Sequence, residues 1–316
     1  MSYKTIISIN KMIKIGTDCS GIEAPIQALK QLNIPHQHVF SSDIDKFVIK
    51  SIKANYNPDI IFGDISKRDI NNVPDIDLYV AGFPCTTFSS AGNRQGFEDT
   101  RGTVFFSCLQ VIKHKKPKVF ILENVKGLLT HDKGNTFKII LDCLKDLEYY
   151  NVDYKLLNTC DYGIPQSRPR VYIVGILKSE QVKEFNFPEK ITMIPLLSFV
   201  DNDDNSTNKV PPSIQKIKLL DKIPPDAVFV DFSFKNNKFP MSATVCPCLL
   251  SNHLLFCVPK GRYVNLSEKL SLQGFPKDFK QVVSKTQLDK QIGNSMSVNV
   301  LKELFIEIFK CTNILQ

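Results

Sequence analysis

Long apolar runs are missing from this 316-residue sequence, and no stretch approaches the length a membrane-spanning helix needs. The amino terminus, MSYKTIISINKMIKIG, scatters charge through its apolar residues and lacks a small-residue cleavage site, so no secretory signal peptide is expected. Cysteine is sparse: nine residues are too few for a disulfide scaffold in a chain this long, and an odd number leaves at least one thiol free. A reducing, cytoplasmic setting is expected (host cytoplasm or nucleoid for a phage or viral chain), where one thiol can serve as a nucleophile. Internal repeats and long low-complexity tracts are also lacking. What is present is 43% hydrophobic residue content and a mean hydropathy of -0.10, enough for a substantial core in a soluble globular protein. A mass of 35.8 kDa accommodates one large domain or two modest ones. The net charge of +8 suits a polyanionic partner such as nucleic acid.

The first half alternates short apolar runs with amphipathic stretches. IKIGTDC precedes a helical pattern over 23–32, and HVFSSD precedes one over 46–56. DIDLYVAGFPC is followed by a helix around 102–113, and KVFILENV by one over 135–147. Such alternation predicts an α/β fold: a mostly parallel, Rossmann-like sheet with helices on both faces, and ligands at the carboxyl ends of the strands. After YIVGIL the composition turns to loops, with DNDDNSTN, KVPPS and IPPDA between 180 and 240. The expected division is a first domain of 1–180 and 275–316, interrupted by a smaller domain of 181–274.

The most informative segment is GFPCTTFSSAGNRQGFEDTRGT, residues 82–103. An apolar strand ends at Ala81, and Gly82 and Pro84 shape a sharp approach to Cys85. A thiol at the end of a parallel strand faces the ligand crevice, where nearby positive charge can activate it. The alternative is a cysteine packed as a small hydrophobe. Earlier, TDCSGIEA (17–24) reads as strand, glycine turn and helix, a cradle with a helix N-terminus at the ligand. Asp43 lies 22 residues after Gly21, the offset of an acid that accepts from a ribose diol. GDIS (63–66) and LENV (122–125) each place a carboxyl beside a turn or strand end. In YGIPQSRPRVYIVG (162–175), a period of two puts Gln166, Arg168 and Arg170 on one face of a strand. In QIGNSMSVNV (291–300), Gly-Asn-Ser reads as the capped opening of a helix.

In this order, the blocks closely resemble those of the bacterial and phage C5-cytosine DNA methyltransferases, from about Ile13 to Val300 except the insertion. The resemblance implies S-adenosylmethionine as cofactor and a class I methyltransferase domain joined to a target-recognition domain. It implies that Cys19, Ser20, Gly21, Ile22, Glu23, Gly82 and Pro84 shape the cofactor site. Asp43 would hold the ribose, Ile44 and Ile65 would pack on the adenine, and Asp64 would meet its amino group. Asn294 and Ser295 would reach the methionine end. Cys85 would add to C6 of a flipped cytosine in duplex DNA, Glu123 would act at N3, and C5 would then be methylated. Arg168 and Arg170 would hold the cytosine O2, a phosphate and the surroundings of the Cys85 sulfur. Ser89, Arg94, Gln166, Thr244 and Arg262 would meet DNA. A monomer is expected, with a companion restriction endonuclease as a possible partner and no membrane.

The sequence departs from the family pattern in three places. Glu23 stands where the family usually has a second glycine, and Cys19 where it usually has an aromatic residue. In RYVNLSEKLSLQGFPKDF (262–279), Ser267 and Ser271 replace internal arginines, although Arg262, Glu268 and LQGFP remain. Cys246, Cys248, His253 and Cys257 suggest zinc, but the C-x-C spacing is tight and no second pair exists, so ordinary packing is expected and no metal. Two other functions share these motifs: a transfer-RNA cytosine-5 methyltransferase, and a DNA-binding relative with impaired catalysis. Phe83, where the RNA enzymes usually carry a second proline, disfavours the first. Intact Cys85, Glu123, Arg168 and Arg170 disfavour the second.

Overall fold

The computed structural model describes residues 12–84, 104–202, 223, 226–232, 241–242, 244–251 and 254–316. Cys85, Ser89, Arg94 and His253 therefore lie outside the described residues, as do all of residues 86–103.

The chain divides into two compact units. One comprises Met1–Leu157, Pro169–Pro188 and Leu301–Gln316; the other comprises Asn158–Arg168 and Glu189–Val300. The second unit thus takes in more of the chain than the loop-rich segment that composition marks out.

The first unit is built on seven strands: β1 (Ile13–Asp18), β2 (His36–Ser42), β3 (Ile60–Phe62), β4 (Leu78–Ala81), β5 (Val119–Val125), β6 (Tyr150–Asn158) and β7 (Pro169–Leu177). They lie in the order β3-β2-β1-β4-β5-β7-β6. Strands β1 to β5 are parallel, and β7 runs antiparallel to β5. All four residues of β4 are buried, the pattern of a strand covered on both faces. Helices α1 (Ala24–Gln31), α2 (Lys46–Asn55), α3 (Val104–Lys115) and α4 (Asn135–Lys145) connect the strands. Phe105, Cys108, Leu109 and Ile112 of α3 share a core with Tyr79, Ala81, Phe120 and Leu122 of the sheet. Burial of each of these leucine, isoleucine and phenylalanine side chains stabilises the fold by about 1.5–3 kcal/mol. This is the expected Rossmann-like sheet. Strand order reverses between β1 and β4, which makes their carboxyl ends the switch point where ligands bind.

Strand β6 has no counterpart in the sequence reading, although Val152, Tyr154 and Leu156 alternate with polar residues. Its polar positions suit the edge of the sheet.

The second unit holds an antiparallel sheet of β8 (Phe229–Asp231), β9 (Met241–Ser242), β10 (Leu255–Cys257) and β11 (Arg262–Tyr263). Val230, Phe232 and Phe256 form its small core. Helices α5 (Leu266–Leu272) and α6 (Lys285–Asn294) follow, and α7 (Val298–Cys311) continues the chain into the first unit.

Two local expectations are corrected. Gln166 and Arg168 do not share a strand face with Arg170, because β7 begins only at Pro169. Proline lacks the N–H of a ladder and is accommodated at a strand's first residue. Gly-Asn-Ser also closes a helix rather than opening one. Asn294 is the last residue of α6 and Ser295 its C-cap, while the side chain of Ser284 caps the other end by accepting from Gln287 N.

Candidate active site

The turn after β1 carries three left-handed residues in five: Cys19 (φ 50°), Gly21 (φ 53°) and Glu23 (φ 60°). Glycine adopts this backbone freely, whereas each non-glycine residue costs about 1–3 kcal/mol and persists only where its surroundings hold it. Here the surroundings are the end of β2. Ser20 N donates to Ser42 O at 3.0 Å, and Ser42 N donates back to Ser20 Oγ at 2.9 Å. Gly21 N donates to Asp43 Oδ2 at 3.1 Å, while Asp45 N donates to Asp43 Oδ1 at 2.9 Å. Four predicted cofactor residues, Ser20, Gly21, Asp43 and Glu23, are thereby brought to one place. Burial pushes the Asp43 carboxyl up from its usual range, and the two N–H donors partly oppose that shift.

Glu23 is fully buried and faces inward. Its Oε1 accepts from Thr17 Oγ1 at 2.8 Å and from Ser41 Oγ at 2.6 Å, and lies 3.4 Å from His38 Nε2. Neither Thr17, His38 nor Ser41 stands out in the sequence. The hydroxyl pair Ser41-Ser42 before Asp43 is the one signal that points to them.

Ile44, beside Asp43, is 79% exposed, an unusual outlay for a large apolar side chain at a strand end. Ile65 is buried. Asp64 is held below its ordinary range, first by the Ser66 hydroxyl and then by Ser66 N. Burial pushes the Cys19 thiol well up, with Cys108 and Asp18 adding to it. A side chain added at Gly21 would meet nothing within 4 Å among the described residues. A carboxylate, a free apolar surface and open space above a glycine fit an adenosyl group with a ribose diol.

Across the switch point, Gly82 N donates to Asp18 O at 3.4 Å. Asn124 Nδ2 donates to Phe83 O at 2.7 Å, and Asn124 Oδ1 accepts from Val125 N at 2.8 Å. The backbone at Phe83 is thus anchored to the end of β5, next to Glu123. Asn124, which the LENV motif does not single out, holds the backbone of Phe83. Arg170 Nε lies 3.3 Å from Glu123 Oε1, with both side chains mostly buried. Antiparallel pairing of β5 with β7 sets Glu123 opposite Tyr172 and Val125 opposite Arg170, so a diagonal contact joins the two charges.

In the second unit, Arg168 is buried and donates to backbone carbonyls. Nη1 bonds Leu249 O at 2.9 Å; Nη2 bonds Gly293 O at 3.0 Å and Ser295 O at 2.6 Å. A guanidinium at the end of α6 satisfies carbonyls that have no partner within the helix. Gln166 is also buried, donating to Leu272 O at 2.8 Å and accepting from Leu249 N at 3.0 Å. Arg262 forks onto Glu268 with two contacts of 2.9 Å. Asn294 and Thr244 are exposed, whereas Ser295 is buried. Cys246 is buried against Pro165 and Ser167, and no group of three potential metal ligands occurs among the described residues. Among them, too, no helix is long and apolar enough to cross a membrane.

A family model described as C-5 cytosine-specific DNA methylase matches residues 13–228 and 257–310. The Type II methyltransferase M.NgoBI of Neisseria gonorrhoeae is 41% identical over 277 residues, covering 84% of this chain and 84% of the relative. M.HaeII of Haemophilus aegyptius, also a Type II methyltransferase, is 42% identical over 275 residues, covering 85% and 84%. Among solved structures, the Dnmt2 methyltransferase of S. pombe superposes with a TM-score of 0.69 at 18% identity, covering 94% of this chain and 98% of that one. A putative DNA modification methyltransferase encoded in an E. coli prophage gives 0.68 at 18% identity, covering 95% and 99%. These two structural likenesses bear on the fold alone.

Proposed function

Since this chain belongs to the family of C-5 cytosine-specific DNA methylases and is a DNA cytosine-5-methyltransferase, we propose a division of labour among its residues. Cys85 is the nucleophile that adds to C6 of cytosine. Glu123 supplies a proton or hydrogen bond at N3, so that the ring can accept the thiolate's electrons. Arg170 orients Glu123 from the neighbouring strand. The observation that carries this reading is the end of β5, where Asn124 fixes the backbone of Phe83 while the adjacent Glu123 pairs with Arg170.

S-adenosylmethionine, held by Gly21, Asp43, Ile44, Asp64 and Ile65, supplies a methyl group on an electron-poor sulfonium. Asn294 and Ser295 serve its methionine end, and Arg168 holds their turn through the carbonyls on either side. The target base lies inside a stacked duplex, so it must be flipped into the site at a cost of a few kcal/mol. After C5 has been methylated, a base removes the C5 proton and Cys85 leaves by elimination. Ser89, Arg94 and Thr244 serve the DNA, while Gln166 and Arg262 support the unit that reads it. The partner is double-stranded DNA in the cytoplasm, met by a monomer, and the Type II relatives support a companion endonuclease.

Cys85→Ser tests the scheme. The variant should bind S-adenosylmethionine as the wild type does and transfer no methyl group to duplex DNA. Methyl transfer at the wild-type rate would refute the nucleophile. Methyl transfer to transfer RNA but not to duplex DNA would refute the substrate.

A further inference from the structure

We propose that Glu23 is a positioning residue for the cofactor turn, acting through Gly21 and Asp43 rather than by contact with the ligand. The inference rests on the cofactor reading above. Three observations carry it. First, the side chain is fully buried, so it has no surface to offer a ligand. Second, its backbone is left-handed at φ 60°, a conformation that a glycine would adopt without strain. Third, its Oε1 joins β1 to β2 by accepting from Thr17 Oγ1 and Ser41 Oγ, while Oε2 has no partner among the described residues.

A buried carboxyl oxygen left without a hydrogen bond and a strained backbone both weigh against keeping Glu at this position. The compensation is geometric. With Thr17 ahead of the turn and Ser41 two residues before Asp43, the bonded Oε1 locks residues 19–23 between the two strands. Thr17 Oγ1 also lies 2.7 Å from Ser20 Oγ, which continues the tether to Ser42. Locked in this way, Gly21 N points at Asp43 and the carboxylate is held in place before any ligand arrives. Tyr56 lies near enough for the Glu23 charge to help raise its phenol, after burial.

Three substitutions together separate this role from packing. Glu23→Gly removes the strain and the orphan oxygen but also the tether. We expect it to fold at least as stably as the wild type by thermal melting without ligand. By calorimetry it should bind S-adenosylmethionine about tenfold more weakly or worse, equivalent to about 1.4 kcal/mol, with kcat at saturating cofactor close to wild type. Glu23→Gln keeps an acceptor at Oε1 and should restore affinity, whereas Glu23→Met should not. Ser41→Ala, which leaves Glu23 in place, should weaken binding in the same direction. Wild-type affinity in both the glycine and methionine variants would overturn the proposal. So would equal losses in the glutamine and methionine variants, or a fall in kcat with affinity unchanged. If the wild type itself bound no S-adenosylmethionine, the cofactor reading would fail, which is a separate result.

Discussion

The Arg68 guanidinium grips Asp18 with both arms, Nη1 to Oδ1 at 2.9 Å and Nη2 to Oδ2 at 2.8 Å, in the interior of the sheet unit. The Tyr79 hydroxyl donates to the same carboxylate at 2.6 Å. The guanidinium also lies over two rings, 5.1 Å from the centre of Phe40 and 4.8 Å from that of Phe62. Asp18 ends β1 immediately before the turn of residues 19–23, and Arg68 lies just beyond the segment of Asp64 and Ile65. The pair therefore fastens together two stretches to which the proposed adenosyl site belongs. Arg68→Met removes one partner and leaves a buried charge, a change that costs about 3–5 kcal/mol. Arg68→Lys should recover little, because an ammonium has neither the planar fork nor the flat face. Urea denaturation of both variants checks this. Midpoints within error of wild type would show that the pair is dispensable.

Glu123 provides a test of chemistry separate from stability. Its carboxyl can deliver a proton, which an amide cannot. Glu123→Gln should lower the rate of methyl transfer by about 10²–10⁴-fold while leaving cofactor affinity within about threefold. Arg170→Ala should also slow the chemistry, by withdrawing the contact that orients Glu123. Single-turnover transfer of labelled methyl groups to duplex DNA measures both. A glutamine variant as fast as wild type would show that a hydrogen bond at N3 suffices without a proton from Glu123, and an equally fast Glu123→Ala would remove the residue from the reaction.

Much of the first unit was legible because periodicity and burial agree there. Apolar runs such as VFIL in β5 must lie in a covered sheet, and the segments between them repeat at helical spacing. The sequence also paired Asp43 with Gly21, which the structure joins by a hydrogen bond, and their offset reflects a strand, a turn and a helix of ordinary length. It did not disclose that Glu23 turns inward, since that depends on Ser41 arriving from another strand. Nor could spacing distinguish Arg168 from Arg170. The two are separated by Pro169, and their partners, Gly293 and Ser295 in one case and Glu123 in the other, are remote in sequence. Side chains engaged by distant carbonyls leave no local periodic trace.

Gly274, in the LQGFP segment, is fixed by backbone and space together. Its φ is +85°, and an added Cβ would come 2.9 Å from Val298 Cβ and 3.2 Å from Asn299 N. The second neighbour is backbone and cannot swing away. Gly274→Ala combines left-handed strain with overpacking and should destabilise the second unit by about 1–3 kcal/mol. Thermal melting would register the loss, and DNA affinity should fall with it. An alanine variant that melts with the wild type would show that the turn has room to relax.

Buried thiols should contribute to an alkaline limit of stability. Burial, reinforced by the charge of Asp18, pushes Cys108 from its ordinary 9.0 to about 12. Burial likewise pushes Cys257 to about 11 and Cys311 to about 11. In each case the folded protein holds its proton more tightly than the unfolded chain. The associated stability is complete below about pH 9 and is lost as pH rises from there through the folded values. The urea midpoint should accordingly be level near pH 8 and fall steadily towards about pH 11. Cys108→Ala lowers the whole curve, because it leaves a cavity beside Tyr79, but it should flatten the alkaline limb. Parallel limbs for variant and wild type would mean that Cys108 does not couple to folding in this range. The fall would then have to come from the other buried thiols and phenols.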